Sequence, residues 1–302
     1  MADRRRSRVY PSIPINSSIG QANFQSQQNM PSPSTASSSQ DYWEAVATEY
    51  QAVTRIAEDD FHFGPLVPGD RNLKILPPLE PGDRCLELGC GGGQNSIHLA
   101  RQGARCTAVD ISNRQLEHGR RLAAGHCLEI EFVQADLDNW LPPFPAGSFD
   151  LVHSSYTLPF LHHPRQVVAR ACRLLRPGGW LILSTAHPLA HAEPIELSET
   201  KRGVFLQNYF KPPVERAEQL DGQGIWQTET CQPRPIAEVA AWILDNGLWL
   251  RDLREPRPLP PSALRQSPPP YDSDRWRENL EHLRYIPIVI VFAASKTEED
   301  RI

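Results

Sequence analysis

The 302-residue sequence contains no run of 18 apolar residues, so no segment of it reads as a membrane-spanning helix. It has no basic surplus: 31 lysines and arginines face 36 aspartates and glutamates, for a net charge of −5 and a pI of about 6.1. A nucleic-acid partner is therefore not expected, because such proteins offset phosphate charge with a basic surface. None of the six cysteines (Cys85, Cys90, Cys106, Cys127, Cys172 and Cys231) belongs to a C-x-x-C pair. That spacing argues against zinc, so reduced, buried thiols in a cytoplasmic protein without a metal are expected. Eighteen glycines are too few for a collagen repeat. After Asp3 no acidic residue occurs before Asp41.

Proline is what the chain has in excess, with 29 copies. Four lie before residue 40, and seven crowd Pro256–Pro270. Residues 1–40 are also rich in Ser, Gln and Asn, and cannot bury enough apolar surface to offset chain entropy, so this segment is expected to be a disordered tail. Its Arg4-Arg5-Arg6-Ser7-Arg8 start also fits an organelle-targeting peptide, although Asp3 is atypical of one, and no secretory apolar core is present.

The remainder, 41–302, reads as one domain. Trp43, Ala45, Val46, Tyr50 and Val53 recur on one face of a helix that Asp41 can cap. Phe61-His62-Phe63-Gly64-Pro65 breaks that helix, and a short helix is expected near Arg71–Leu76, so 41–78 reads as a cap helix and mobile lid. Strands at Arg84–Leu88, Arg105–Val109, Ile130–Gln134, Phe149–Ser154 and Trp180–Thr185 alternate with helices at Gln94–Gln102, Ser112–Ala124 and Pro164–Leu175. This alternation predicts an α/β fold, a parallel sheet covered by helices on both faces. Residues 187–233 have few clear periods and read as an insertion over the sheet's carboxyl edge. A helix at Pro235–Asn246, stopped by Gly247, and a strand at Leu248–Leu253 follow. Within 256–284 a Pro-rich loop precedes a helix at Asp272–Leu283, and Ile286–Ala294 is the last strand.

The chemistry is concentrated in Glu87-Leu88-Gly89-Cys90-Gly91-Gly92-Gly93-Gln94-Asn95, where a strand passes through four glycines into a helix. Glycines there permit positive φ and close approach of a ligand to bare backbone. A dinucleotide fingerprint fails because Gln94 stands where the third glycine belongs, which disfavours a nicotinamide oxidoreductase, and a phosphate loop fails for want of Gly-Lys-Ser/Thr. The spacing E-x-G-x-G-x-G places a carboxylate at the strand end, which repels phosphate and suits a ligand carrying positive charge and hydroxyls.

This segment resembles the first motif of class I S-adenosylmethionine-dependent methyltransferases. Val109-Asp110-Ile111-Ser112, Ala135-Asp136-Leu137, Ser148-Phe149-Asp150-Leu151-Val152 and Leu174-Leu175-Arg176-Pro177-Gly178-Gly179 resemble the later motifs in the same order over about 100 residues. The resemblance implies a Rossmann-like sheet of seven strands in the order 3-2-1-4-5-7-6, the last antiparallel, with S-adenosyl-L-methionine as cofactor. It places Glu87, Gly89, Cys90, Gly91, Gly93, Asn95, Ile111 and Gln115 around the cofactor, Asp110 at the ribose, and Asp136 with Leu137 at the adenine. Ser154 and Tyr50 complete that set, Tyr50 and Trp43 resembling the W…Y pattern of a helix that folds over the cofactor. Asp150 reads as a turn or capping residue instead.

Methyl transfer needs an acceptor held in line with an activated methyl, and a base only where the acceptor must lose a proton. Above strands four and five, His153, Tyr156 and especially His187 are the catalytic candidates, since Ala186-His187-Pro188 leaves the strand directly into the insertion. A histidine bonded to loop backbone is the structural alternative for His187. His62, Phe63, His191, Tyr209 and Phe210 are expected to line the acceptor pocket. Pro269-Pro270-Tyr271 is like a piece of the nucleic-acid amino-methyltransferase motif but lies after strand six, so it is read as plain Pro-rich loop. The expected function is methylation of a small molecule. The alternative is a non-catalytic, cofactor-binding regulatory or scaffold subunit.

Overall fold

Arg84–Leu88 (β1) is apolar except at Arg84 and Glu87, and all but Arg84 are buried, as in a strand covered on both faces. In the computed structural model, which describes residues 34–35, 38–139, 144–198, 201–266, 268–278 and 283–297, β1 is an interior strand, third from one edge of a seven-stranded sheet. Gln94–Ala100 (α2) leads to Arg105–Asp110 (β2), and Asn113–Gly125 (α3) leads to Ile130–Gln134 (β3). Phe149–Ser155 (β4), Pro164–Leu174 (α4) and Leu175–Ala186 (β5) follow. Two further hairpins, Glu193–Ser198 (β6) with Lys201–Phe205 (β7) and Glu215–Leu220 (β8) with Trp226–Cys231 (β9), precede Ile236–Asp245 (α5), Leu248–Arg254 (β10) and Val289–Lys296 (β11). The main sheet has the order β3-β2-β1-β4-β5-β11-β10, and β11 is antiparallel to both neighbours. This is the expected 3-2-1-4-5-7-6 arrangement.

Alternate residues of the strands feed two cores. Leu86, Val152, Leu181 and Ile290 face α4 and α5 through Val168, Ala171, Val239 and Ile243. Cys85, Leu151, Ile182 and Val289 face the other way, onto Phe61, Phe63, Leu66 and Leu99. Phe61 and Phe63 are fully buried, so the segment expected to be a mobile lid is a core element of the second face. Phe63 accordingly packs in the core and does not line the acceptor pocket.

Several boundaries differ from expectation for identifiable reasons. The first helix is Ser39–Val53 (α1), capped by Ser38: its Oγ accepts from the Asp41 amide at 3.2 Å and donates to Asp41 Oδ2 at 2.9 Å. Asp41 is thus the reciprocal partner of the cap rather than the cap itself. Tyr42, Val46 and Ala47 are the buried residues of α1, while Val53 is exposed. Of the expected tail, residues 1–33 and 36–37 lie outside the described residues, whereas Ser34–Thr35 pairs in parallel with β9. The helix expected near 71–76 is limited to Asp70–Leu73, because Lys74 turns left-handed at φ 53°. β5 enters through a bulge: pairing with β4 jumps from Phe149↔Leu175 to Leu151↔Trp180, leaving Arg176–Gly179 outside the ladder. Asp150 caps this corner, accepting from the Arg84 amide at 2.7 Å and pairing with Arg176. Cys127 is exposed, in contrast to the other five free cysteines.

The Pro-rich stretch is structured among its described residues. Pro261–Gln266 is helical, and Tyr271–Ser273 forms a strand antiparallel to Thr54–Ile56, followed by a helix at Asp274–Glu278 in place of one starting at Asp272. The Pro270 carbonyl accepts from Ala57 at 2.8 Å, and the Leu66 carbonyl accepts from Leu259 at 2.8 Å. Asp272 is wholly buried and receives Arg55 Nη2 at 3.1 Å and Arg277 Nε at 2.8 Å. Chain segments over 200 residues apart are thereby clasped together. Among the described residues no helix is long and apolar enough to cross a membrane. Replacing Asp272 by Asn removes the charge from these bonds, whose arginines are partly solvated, so a cost of about 2 kcal/mol and a fall of roughly 4–8 °C in Tm are expected. A thermal melt combined with limited proteolysis near Thr54–Ile56 checks this: an unchanged melt and cleavage pattern would reject the clasp.

Candidate functional site

The carboxyl ends of β1 and β2 are tied together by the glycine loop. Gly89 has φ 70°, and a Cβ there would stand 2.3 Å from Thr157, so neither its backbone nor its surroundings admit a side chain. At Gly91, φ 53°, a Cβ would meet nothing nearer than 3.9 Å, and the bare backbone faces open space. The Gly91 amide donates to Asp110 Oδ2 at 2.8 Å, and Asp110 Oδ1 accepts from the Ser112 amide at 2.9 Å. Burial pushes the Asp110 carboxyl above its ordinary range against these amide bonds. Beside them opens a cleft of about 1440 Å³.

Most of the expected cofactor set lines this cleft: Glu87, Gly89, Cys90 and Gly91 from the loop, Asp110, Ile111 and Gln115 after β2, Asp136 and Leu137 after β3, and Tyr50 from α1. Asp136 is fixed by the Asp138 amide at 2.9 Å and Asn139 Nδ2 at 2.6 Å. Glu87 turns back to the start of α2, where Oε2 accepts from the Ser96 amide at 3.0 Å and Ser96 Oγ at 2.6 Å. Burial raises its carboxyl to about 8. Three expected members are not among the lining residues. Gly93 is the left-handed N-cap of α2. Ser154 Oγ donates to the Leu88 carbonyl at 2.8 Å. Asn95 is spent on the His62 backbone, accepting its N–H at 2.9 Å and donating to its carbonyl at 3.1 Å.

Sequence reading missed how α1 is fastened over the loop. Glu44 accepts from Ser112 Oγ at 2.9 Å and from the amides of Asn113 and Arg114, capping α3 from another helix. Gln51 links Gln94 at 3.0 Å to Gln115 at 2.7 Å, bridging both sides of the loop. Gln94, the residue that spoils the dinucleotide fingerprint, is a rung of that ladder. The signal for these contacts was the polar face of α1, which only the docked helix makes specific. Trp43 stacks edge-on against Phe160, and the Tyr50 hydroxyl meets that of Tyr271 at 2.5 Å. Burial raises the Tyr50 phenol well above its ordinary value. Tyr271, read from the sequence as part of a plain loop, lines the cleft instead.

After β4, Tyr156 lines the cleft in the left-handed conformation, φ 65°, with its ring edge-on to Trp276. Such a backbone is uncommon for a bulky residue and marks a constrained position. His187 does not line the cleft: Nδ1 accepts from the Leu189 amide at 3.0 Å, capping a short 3-10 turn, and Nε2 meets Glu255 at 2.9 Å. Both nitrogens are engaged, so the structural alternative describes this residue and the base role does not. His153 is fully buried against Phe61, away from the lining. Tyr209 accepts from the Ile236 amide at 3.3 Å, and Phe210 is 86% exposed, so neither lines the cleft; Arg216–Leu220 and Trp226 represent the insertion there. His191 ends the 3-10 turn between the lining residues Ala190 and Ala192. Of the expected acceptor residues, His62 alone has a described side chain in the lining. Among the described residues no group of three or more His, Cys, Asp or Glu could hold a metal.

Residues 86–183 match the family profile described as a methyltransferase domain. Over 104 residues the chain is 38% identical to a ubiquinone biosynthesis O-methyltransferase of Nitrosococcus oceani, covering 34% of this chain and 44% of that protein. Over 102 residues it is 40% identical to a demethylmenaquinone methyltransferase of Clavibacter sepedonicus, covering 34% of this chain and 40% of the relative. The chain thus spans less than half the length of these curated relatives. Its fold is similar to that of an S-adenosylmethionine-dependent methyltransferase from Mesorhizobium loti, with a TM-score of 0.53, 23% identity, and coverage of 74% of this chain and 95% of the other. The glycine loop and its bond to Asp110 lie within the matched segment, so residues 86–183 are a methyltransferase domain, set in a sheet with the fold of S-adenosylmethionine-dependent methyltransferases.

Proposed function

We propose that this chain transfers the methyl group of S-adenosylmethionine to a small-molecule acceptor bearing a hydroxyl group. The carrying observation is that the open face of Gly91, the buried Asp110 and the acceptor-side aromatics border one continuous cleft. The residues fit the cofactor's chemistry. Asp110 and Asp136 supply acceptors for hydroxyls and an exocyclic amine, Ile111 and Leu137 supply apolar walls, and Glu87 faces a ligand of positive charge. When bound, the cofactor supplies a methyl activated by its positively charged sulfur.

The protein's own work is to orient and to exclude water. Helix α1, held by Glu44 and Gln51, and the 54–56/271–273 pair cover the cleft from one side, and β8 and β9 border it from another. A cleft bounded in this way suits a small acceptor better than a duplex, in keeping with the net charge of −5. Positioning a nucleophile in line with a bound methyl is worth about 7–11 kcal/mol in favourable cases. Tyr156 and Trp276 give the acceptor a rigid apolar wall. The names of the two curated relatives, both methyltransferases and one an O-methyltransferase, support a hydroxyl acceptor.

Calorimetric titration of the full chain with S-adenosylmethionine and with NAD tests this reading. Binding of the first alone is expected, followed by label transfer from radiolabelled cofactor into a metabolite extract. Cofactor binding with no transfer into any extract would favour the regulatory subunit instead. Asp110→Ala is expected to weaken cofactor binding at least tenfold, about 1.4 kcal/mol, and unchanged affinity would reject its role at the ribose. Glu87 adds a linked-proton signature. Its carboxyl, raised to about 8, holds a proton at neutral pH, and a cation bound beside it pulls the value down. Binding therefore releases a proton below about pH 8, so affinity rises with pH up to that point and levels above it. The slope should vanish in Glu87→Gln, as read by calorimetry in buffers of different ionisation enthalpy, and a slope identical in both proteins would dismiss the effect.

A further inference from the structure

His62 combines a pinned backbone with an unengaged ring. Its N–H and carbonyl are both held by Asn95, and the carbonyl also accepts from Ser155 Oγ at 3.1 Å. The residue is only 7% exposed and lines the cleft. Yet among the described residues its imidazole makes no hydrogen bond, and Nδ1 is wholly buried without a partner. A wholly buried Nδ1 is out of a ligand's reach, so Nε2 is the unengaged ring atom open to the cleft and the one that a ligand group would complete. Three hydrogen bonds to its N–H and carbonyl hold the backbone that carries the ring at the edge of the cleft.

The surroundings are those of a neutral imidazole. Its ring stands edge-on to Tyr271 at 5.3 Å, whose hydroxyl is bonded to that of Tyr50. On the sheet side is His153, itself with both nitrogens unpartnered, and next to it across the strands is Glu87. Burial lowers both histidines to about 3, so each ring offers a lone pair and no charge.

We infer that the His62 imidazole accepts the hydroxyl proton of the methyl acceptor, and that the acceptor is a neutral hydroxyl compound with a flat apolar body. The inference rests on the methyltransferase reading above. A nitrogen acceptor attacks through its own lone pair and needs no base, whereas a hydroxyl oxygen becomes a competent nucleophile when its proton is drawn away. In the step, the O–H bond breaks toward His62 as the O–CH3 bond forms, and the C–S bond breaks with its electron pair remaining on sulfur. The positive charge lost from sulfur reappears on the imidazolium, so the net charge of the cleft is unchanged. The sulfonium that opposes protonation of His62 disappears at the moment the proton arrives. Tyr156, Tyr271 and Trp276 supply the flat apolar contacts.

The test uses the full chain with ring-labelled histidine, S-adenosylhomocysteine as the bound product and catechol as the hydroxyl probe. The His62 NMR signal, identified by its loss in His62→Gln, is expected to stay in the neutral form from pH 5 to 9 and to move when catechol is added to the binary complex. His62→Gln should weaken catechol binding at least tenfold, leave S-adenosylhomocysteine affinity within twofold, and lower catechol methylation at least a hundredfold. A His62 signal that ignores catechol overturns the inference using the unsubstituted protein alone. Unaltered catechol affinity in a normally melting His62→Gln overturns it as well. Failure of S-adenosylhomocysteine to bind the unsubstituted chain would instead bring down the methyltransferase reading, and the inference with it.

Discussion

The hydrogen bond from the Gly91 amide to Asp110 Oδ2, 2.8 Å long, joins the ends of two neighbouring parallel strands. Much of the site depends on it. It holds the glycine loop back from the cleft, so that the side of Gly91 where a Cβ would stand remains open space. It also buries a carboxylate at the wall of the cleft, and burial disfavours the charged form. The amides of Gly91, Ile111 and Ser112 oppose that penalty, so the carboxyl is stabilised by the backbone that it shapes.

Around this anchor the protein adds a cover made from distant parts of the chain. Helix α1 caps α3 through Glu44 and reaches across the glycine loop through Gln51. Its continuation at Thr54–Ile56 pairs with Tyr271–Ser273, and the buried Asp272 locks the pair through two arginines. The tyrosine hydroxyls of the two segments meet over the cleft. The prolines of 256–270 have a purpose here. They carry the chain away from the sheet edge in segments that offer carbonyls without amides, as at Pro270, whose carbonyl receives Ala57.

Comparison with expectation shows where sequence patterns have force. The strand order, the helices of both layers and the glycine loop were legible because burial on both faces, helical periodicity and glycine spacing are local signals. That Glu87, Asp110 and Asp136 border one cleft was legible for the same reason, since each is fixed relative to a strand end. The acceptor side was not. His187 follows its strand as a base would, but its ring is taken by Leu189 and Glu255, a partner 68 residues away. Tyr209 and Phe210 are aromatic residues in the right insertion, yet one props up α5 and the other faces solvent. Asn95 sits in the cofactor motif and serves the His62 backbone instead.

The sequence by itself determined the parallel α/β core and the chemistry at its carboxyl edge, because strand burial, helix periodicity and a run of glycines act within a few residues. Only the tertiary structure decided what closes that edge. Pairing Thr54–Ile56 with Tyr271–Ser273, bringing Arg55 onto the buried Asp272, and holding the His62 backbone on Asn95 and Ser155 all depend on contacts between segments far apart in the chain. Such contacts leave no periodic trace, since each is selected by the space and polarity that the folded neighbours leave open.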